Sequence, residues 1–349
     1  MAYTAINDPG SVFSALVWSG AGGAQSITGV GFQPDVVWGK NILATANHQL
    51  LDSPRGVGKP LEVNTSDEEK NDPASSLSSF DADGFTLAGG SAINASGTNN
   101  IVSWNWKLGT TSGLSGGDIT PSAYSINTST GMGVYAYRGT GVQGAEIVHG
   151  LGATPTYIII KQLTSIYDWA VWSKGVTLGN GMRLNETVAQ ETNDFLNNVA
   201  PTSTVVELGN STYSNAVSGT KDYVMYAFVP KQGFSSIGTY TGNNNADGAF
   251  VNTGFAPAFV MVKNYTSADN WVMKDNKRPG YNESPLTVYA NTNAAQSPIT
   301  AKLDLVSNGF KWREAGANFN DNGSAHKYTY LAFAESPFVN SEGVPNNAK

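Results

Sequence analysis

Four acids, Asp168, Glu186, Asp269 and Glu283, and four tyrosines outside the register of the chain's internal repeat, Tyr167, Tyr213, Tyr265 and Tyr281, could do chemistry on carbohydrate in this 349-residue chain. Two carboxylates facing each other across a groove would supply the acid and the base or nucleophile of glycoside hydrolysis. Tyrosine rings in loops offer flat apolar faces with a polar rim, on which a sugar can dock while neighbouring polar groups set its direction. Sequence does not give the separation of the acids, so catalysis requires a groove that spacing alone cannot show. The expectation is no catalytic residue, with the out-of-register tyrosines as contact candidates.

Other chemistry-bearing patterns are weaker. The chain has three histidines, His48, His149 and His326, with no Asp or Ser at a recurring offset, and it has no cysteine. A triad or a zinc site is not expected from that inventory. Asp81 and Asp83, and separately Asn243, Asn244, Asn245 and Asp247, form oxygen-rich turns of the kind that hold calcium. The counterparts of Asp81 and Asp83 elsewhere in the chain keep a glycine but lose the carboxylates, which points to backbone geometry and to no metal or cofactor. Gly113 to Gly117 matches G-x-S-x-G and Gly139 to Gly144 matches G-x-G-x-x-G. The first lies in a Gly/Ser/Thr linker and the second before another apolar run, so neither has the strand and helix its chemistry needs; the second reads as a hairpin turn.

The elements that must position these residues repeat three times. Residues 31–41, 152–162 and 254–264 each run from a glycine turn through Pro34, Pro155 or Pro257 into an apolar stretch ending, six places after the proline, in Lys40, Lys161 or Lys263. A strand ending in Gly20, Gly139 or Gly242 precedes each. Eight places after the lysine comes His48, Trp169 or Trp271, opening a strand. Then follow Leu61 to Thr65, Leu184 to Thr187 and Val288 to Thr292 as short strands into Asn/Thr turns, polar segments such as Ser66 to Lys70 with at most one helical turn, and a turn at Asp83-Gly84, Leu208-Gly209 or Asn308-Gly309. Asp-Gly and Asn-Gly between apolar flanks signal a hairpin needing positive φ. A second turn begins at Asn94, Asn215 or Asn320, and an aromatic strand ends each unit at Trp106, Phe228 or Phe333.

A repeat of this kind must be read before any single motif. Short strands with frequent turns and no convincing amphipathic helix predict an all-β chain of three tandem antiparallel sandwiches of jelly-roll type. The boundaries are an N-terminal arm at 1–10, unit one at 11–108, a linker at 109–131 with a short strand at 123–127, unit two at 132–230, unit three at 231–337 and an irregular tail at 338–349. Within each unit the lysine reads as a strand terminator whose side chain reaches out to water. His48 occupies the place of Trp169 and Trp271 and so packs as a flat ring, and the repeated aromatics Trp18, Tyr137, Tyr240, Trp106, Phe228 and Phe333 are core.

Composition narrows the partners. Charged residues make up 13%, Gly numbers 39, and the formal net charge is −7. About a quarter of an average chain is charged, so this surface is polar but largely neutral. An acidic balance disfavours nucleic acid and anionic membrane, and there is no long apolar run to insert into a bilayer and no basic, apolar leader at the start.

On residues 1–7, 28–35, 52–56, 79–87, 237–243 and 330–340 the chain resembles a family of tailed-bacteriophage structural proteins, the tail fibre or virion proteins. The resemblance implies a non-enzymatic virion component, assembled in the host cytoplasm and released by lysis. It would be a tail fibre or appendage protein contributing to host-surface recognition, with other virion proteins and host surface glycan as partners. It also suggests a homo-oligomer, a trimer by analogy with appendages. The alternatives are a capsid decoration protein and a glycan depolymerase. The repeated sandwiches suggest an extended module displaying its loops.

Overall fold

A computed structural model describes residues 4–217, 221–278, 281–297, 301–321, 323 and 326–346. Residues 1–3 of the opening motif, Ser218 and Gly219 of unit two's second turn and Asn322 of unit three's lie outside them. Among the described residues there is no α-helix; a 3-10 turn spans Pro9–Ser11, and Gly323 also has 3-10 conformation.

Unit one contains β1 (Phe13–Gly20), β2 (Gln25–Thr28), β3 (Val36–Asn41), β4 (Gln49–Asp52), β5 (Leu61–Glu62), β6 (Leu77–Asp81), β7 (Gly84–Leu87) and β8 (Gly97–Trp106). The linker carries β9 (Ala123–Asn127). Unit two contains β10 (Met132–Arg138), β11 (Ala145–Val148), β12 (Tyr157–Gln162), β13 (Ala170–Ser173), β14 (Asn180–Arg183), β15 (Glu191–Thr192), β16 (Val205–Leu208) and β17 (Asp222–Phe228). Unit three contains β18 (Ser235–Thr241), β19 (Phe250–Asn252), β20 (Phe255–Asn264), β21 (Val272–Asp275), β22 (Val288–Tyr289), β23 (Leu303–Val306), β24 (Gly309–Trp312) and β25 (Lys327–Pro337).

The large sheets are ordered β1-β8-β3-β4-β5, β15-β14-β13-β12-β17-β10-β9 and β18-β25-β20-β21-β22, all antiparallel in their named pairings. Apart from β9 and β15, the three orders are the same. Small sheets, β2-β7-β6, β11-β16 and β19-β24-β23, complete the layers. The proline strands β3, β12 and β20 sit inside the large sheets and are buried along their whole length. That explains their near-continuous apolar sequence, because both faces of the sheet are covered.

Strand periodicity divides those faces. Val37 of β3 joins Ile27, Leu51, Phe85 and Ile101 beneath the small sheet of unit one, whereas Val36 and Trp38 face a core shared with Tyr226, Phe228, Phe259, Met261 and Phe333. Val260 and Val262 of β20 pack beneath unit three's small sheet in the same way. The three large sheets thus meet around one central core, in which Phe13 stacks on Phe333 at 5.1 Å and Trp104 meets Phe259 edge-on at 5.5 Å. The expected extended arrangement of tandem sandwiches is corrected by this: a sheet with an apolar second face has to bury it, and each unit buries it on the other two.

Lys40, Lys161 and Lys263 lie at the end of that inner face, and their expected exposure is also corrected. All three are fully buried. Each Nζ donates to the next residue's carbonyl and to the carbonyl six residues on, Ala46, Tyr167 or Asp269, each at 2.8 Å. One further acceptor comes from a different unit: Asn293 for Lys40, Ser66 for Lys161 and Thr187 for Lys263. The donor–acceptor relation runs around a ring, one to three, two to one, three to two. The same polar straps return a second bond, from Glu69 N to Leu163 O, Gln190 N to Tyr265 O and Gln296 N to Ile42 O, each 2.9 Å. Segments such as Ser66 to Lys70 therefore form no helical turn; they cross to the neighbouring unit. Burial is the main cause that lowers the lysine pKa values, to about 8 for Lys40 and Lys161 and about 7 for Lys263.

Smaller readings also change. Leu184 to Thr187 is a turn after β14 rather than a strand, and Gly139 to Gly144 crosses from one sheet to another rather than closing a hairpin. The strand at 123–127 forms as β9, on the edge of unit two's sheet.

Candidate functional site

Arg183, at the end of β14, organises a place where several of the sequence candidates meet. Its backbone is set by antiparallel pairing with Ala170 of β13, which brings the residue before Trp169, Asp168, alongside it. The guanidinium Nη1 contacts Asp168 Oδ2 at 3.1 Å and Glu186 Oε2 at 3.3 Å, and Nη2 contacts Glu191 Oε1 at 2.6 Å. Asn185 donates to the other Asp168 oxygen at 2.7 Å and accepts Trp169 N–H. Above this network lies Tyr213, whose ring centroid is 5.9 Å from the guanidinium carbon, and Tyr167 meets Tyr213 edge-on at 6.1 Å. Tyr167 is 37% exposed and its neighbour Ile166 69%, so the pair presents a rim of aromatic and apolar surface to solvent.

The backbone beneath is tied to both neighbouring units. Tyr167 N–H donates to Ser66 O of unit one, and its carbonyl caps Lys161; Arg183 O accepts Trp271 Nε1–H of unit three at 2.8 Å. Burial opposes the Arg183 charge, but Tyr213 and the three carboxylates outweigh it and hold the guanidinium above its ordinary pKa. Partial burial raises the Tyr213 hydroxyl, against the pull of Arg183. Chemically the cluster is an aromatic platform on a fixed polar base. Its carboxylates are engaged by one cation, an arrangement suited to holding hydrogen-bonding side chains still rather than to passing a proton.

The remaining candidates are elsewhere. Asp269 accepts from Asn264 at 2.8 Å, and Glu283 pairs with Lys302 at 3.3 Å. Tyr265, expected in a contact loop, is only 6% exposed and packs into the core, a correction that follows from the strap of unit two passing over it. Tyr281 is exposed and apart from the cluster's contacts. His48 is buried, accepts Trp38 Nε1–H at 3.0 Å and is held well below its ordinary pKa chiefly by burial, in keeping with a packed flat ring. His149 lies against Thr202 O at 3.2 Å and His326 against Asp321 at 3.3 Å. Asp83 accepts Gly29 and Gly31 N–H at 3.0 and 2.6 Å, while Asp81 accepts Thr86 Oγ1 at 2.7 Å. Asn243, Asn245 and Asp247 bond mainly to one another, and Asp247 pairs with Lys311. No cluster of three or more metal-ligating side chains occurs among the described residues.

Arg183 and Glu191 were not sequence candidates. The signal was available in the repeat: Arg183 stands two places before Asn185, where unit one has Glu62 before Asn64 and unit three Tyr289 before Asn291. A cation replaces an acid and a tyrosine at that position, next to an acid that replaces the asparagines Asn47 and Asn270.

An all-β protein whose three layered units close around one core, with an aromatic and ionic surface cluster on the second unit, is the class these observations define. The chain belongs to a family described as a domain of unknown function, DUF7483, which matches residues 8–337. No curated protein and no solved structure matches it.

Proposed function

We propose that this is a non-enzymatic virion structural protein, a tail fibre or appendage component that meets host-surface glycan through the Tyr167–Tyr213 face of unit two. The virion role rests on the sequence resemblance. The recognition role rests on the Tyr167 ring standing edge-on to Tyr213 at 6.1 Å beside an exposed Ile166, over a fixed guanidinium. Stacking faces flanked by immobile polar groups are what a hydroxylated ring needs for affinity and direction.

Purified particles analysed by mass spectrometry should contain the protein, and gold labelling should place it on the tail. Retention on host polysaccharide should fall on Tyr167→Ala, with no reducing ends released. Absence from particles overturns the virion role; release of reducing ends favours the depolymerase. Capsid decoration is the second reading, favoured by the threefold recurrence of strand order and of the lysine ring, which would match a threefold position on a lattice. Label on the head would select it.

A further inference from the structure

The repeat supplies its own internal controls, and one of its three seams is built differently. At each seam the turn after β4, β13 or β21 faces the first strand of the next unit. Between units two and three that contact is closed: a Cβ on Gly175 would lie 2.1 Å from Thr239 Cγ2. Between units three and one, Lys277 and Ser14 border a cavity of only about 100 Å³. Between units one and two, Pro54 and Ala136 hold the places of Gly175 and Thr239, and the seam opens into two cavities of about 590 and 570 Å³.

These two cavities share Pro54, Ser122 and Ala123 as walls, so they are parts of one long groove. The cause is the linker. β9 adds itself to the edge of β10, and Asp35 pins it by accepting Ser125 Oγ–H at 3.0 Å while accepting Leu108 N–H at 2.7 Å. The far end of the groove is bordered by Leu163 and Thr164, in the same turn that presents Tyr167.

We infer that the groove between units one and two, running from Gln33 and Thr111 past Ser122 to Thr164, is a binding site for an extended polysaccharide chain whose end is received by the Tyr167–Tyr213 platform. The inference rests on the glycan reading above and deepens it, from a single stacked sugar to a polymer. Uncharged hydrogen-bonding side chains, Gln33, Ser53, Thr111, Ser122 and Thr164, recur along the groove, among the charged groups Asp35, Lys107, Lys59, Glu68, Glu69 and Asp222. Several of the groove's charges are already paired within the protein: Arg55 with Asp52 and Glu69, Lys59 with Glu69 and Asp222 with Arg138. Such a lining matches a ligand rich in hydroxyls, without the deep apolar pockets that peptide side chains would require.

The test uses the full chain and reducing-end-labelled oligosaccharide ladders, from disaccharide to decasaccharide, prepared from host polysaccharide and from dextran as a neutral reference. Affinity should increase with length until the groove is filled. Ser122→Trp and Thr164→Trp, both on exposed positions that leave folding intact, should weaken the longest oligosaccharides by about tenfold and leave disaccharides unchanged. Tyr167→Ala should weaken every length. If long chains bind no better than short ones, or Ser122→Trp has no effect on them while Tyr167→Ala still does, the groove is excluded and the platform stands. If no ladder binds at all, both fall. If an extended peptide library binds and Ser122→Trp blocks it while the glycans do not compete, the groove serves a protein strand and the inference is overturned.

Discussion

Lys40, Lys161 and Lys263 put three ammonium groups where, among the described residues, no carboxylate is in ion-pair contact with them; backbone carbonyls from two units hold them instead. Each removed lysine leaves buried carbonyls from both sides of a seam without a donor. Lys263→Met should therefore destabilise the protein by about 3 kcal/mol, read from urea unfolding at pH 7. The linkage has a definite sign. Native pKa values of about 7 to 8 lie below the ordinary value of 10.5, so the unfolded chain binds more protons between them and stability rises with pH across that window. The buried tyrosines act oppositely: burial raises Tyr135, Tyr137 and Tyr226 well above 10, so only the unfolded chain releases those protons and stability falls above about pH 10. A stability profile should climb from pH 7 towards pH 10 and then drop, with a shallower climb in Lys263→Met. A flat profile over the first interval would show that the ammoniums are not held at depressed pKa.

At the scale of the element, asparagines do the recurrent work. Asn94, Asn215 and Asn320 are fully buried and bracket the turn that follows the first strand of each unit: Asn94 Oδ1 accepts Ala21 N–H, Asn215 accepts Thr140 and Gly141 N–H, and Asn320 accepts Asn243 N–H. The glycines before those turns are there for close approach. A Cβ on Gly242 would lie 2.0 Å from Asp321 O, and one on Gly20 would lie 2.1 Å from Ala95 O. Asn215→Ala strands two amides and should cost about 2 kcal/mol in denaturant unfolding. Gly242→Ala should cost about 3 kcal/mol through overpacking, whereas Gly254→Ala, at φ 80° with open space around it, should cost only about 1 kcal/mol of backbone strain. Equal effects at the two glycines would contradict the steric account. The strands themselves were legible in sequence, because β-branched and aromatic runs punctuated by glycine repeat with one register. The reason for the hairpin glycines was not: Gly84 has positive φ and Gly309 does not, but a Cβ on either would lie 2.0 Å from a carbonyl of the facing strand, Ile27 O or Val251 O. The hairpin expected at Leu208-Gly209 does not form, because β16 pairs only with β11 in a register that puts Val205 at the place of Gly84, and Gly209 is small because Asp194 O approaches to 1.8 Å of where a Cβ would be.

For the whole molecule, the three units share a core that no single unit completes. Sequence shows which residues alternate along β3, β12 and β20, but not which of two apolar faces meets a small sheet and which meets another unit. For that reason the lysines, buried by partners more than seventy residues away, look like surface residues in one dimension. The Arg183 cluster was half visible for the same reason, its tyrosines and two of its acids standing out by type while their meeting depends on the β13–β14 register. The shared core has a consequence for unfolding. Phe259 touches Phe13, Trp104, Trp106 and Phe333, rings from units one and three, while Phe228 of unit two reaches the same Phe333. Phe259→Ala should cost about 4 kcal/mol and should be felt everywhere at once. Native-state hydrogen exchange followed by mass spectrometry is the measurement: peptides covering β3, β12 and β20 should share one slow opening free energy in the parent protein, and the substitution should lower all three together. Exchange accelerated only in β20 and its neighbours would mean that the units unfold independently. A chain spanning residues 132–230 alone should then also fold, whereas a shared core leaves that piece with an exposed apolar sheet and no cooperative transition.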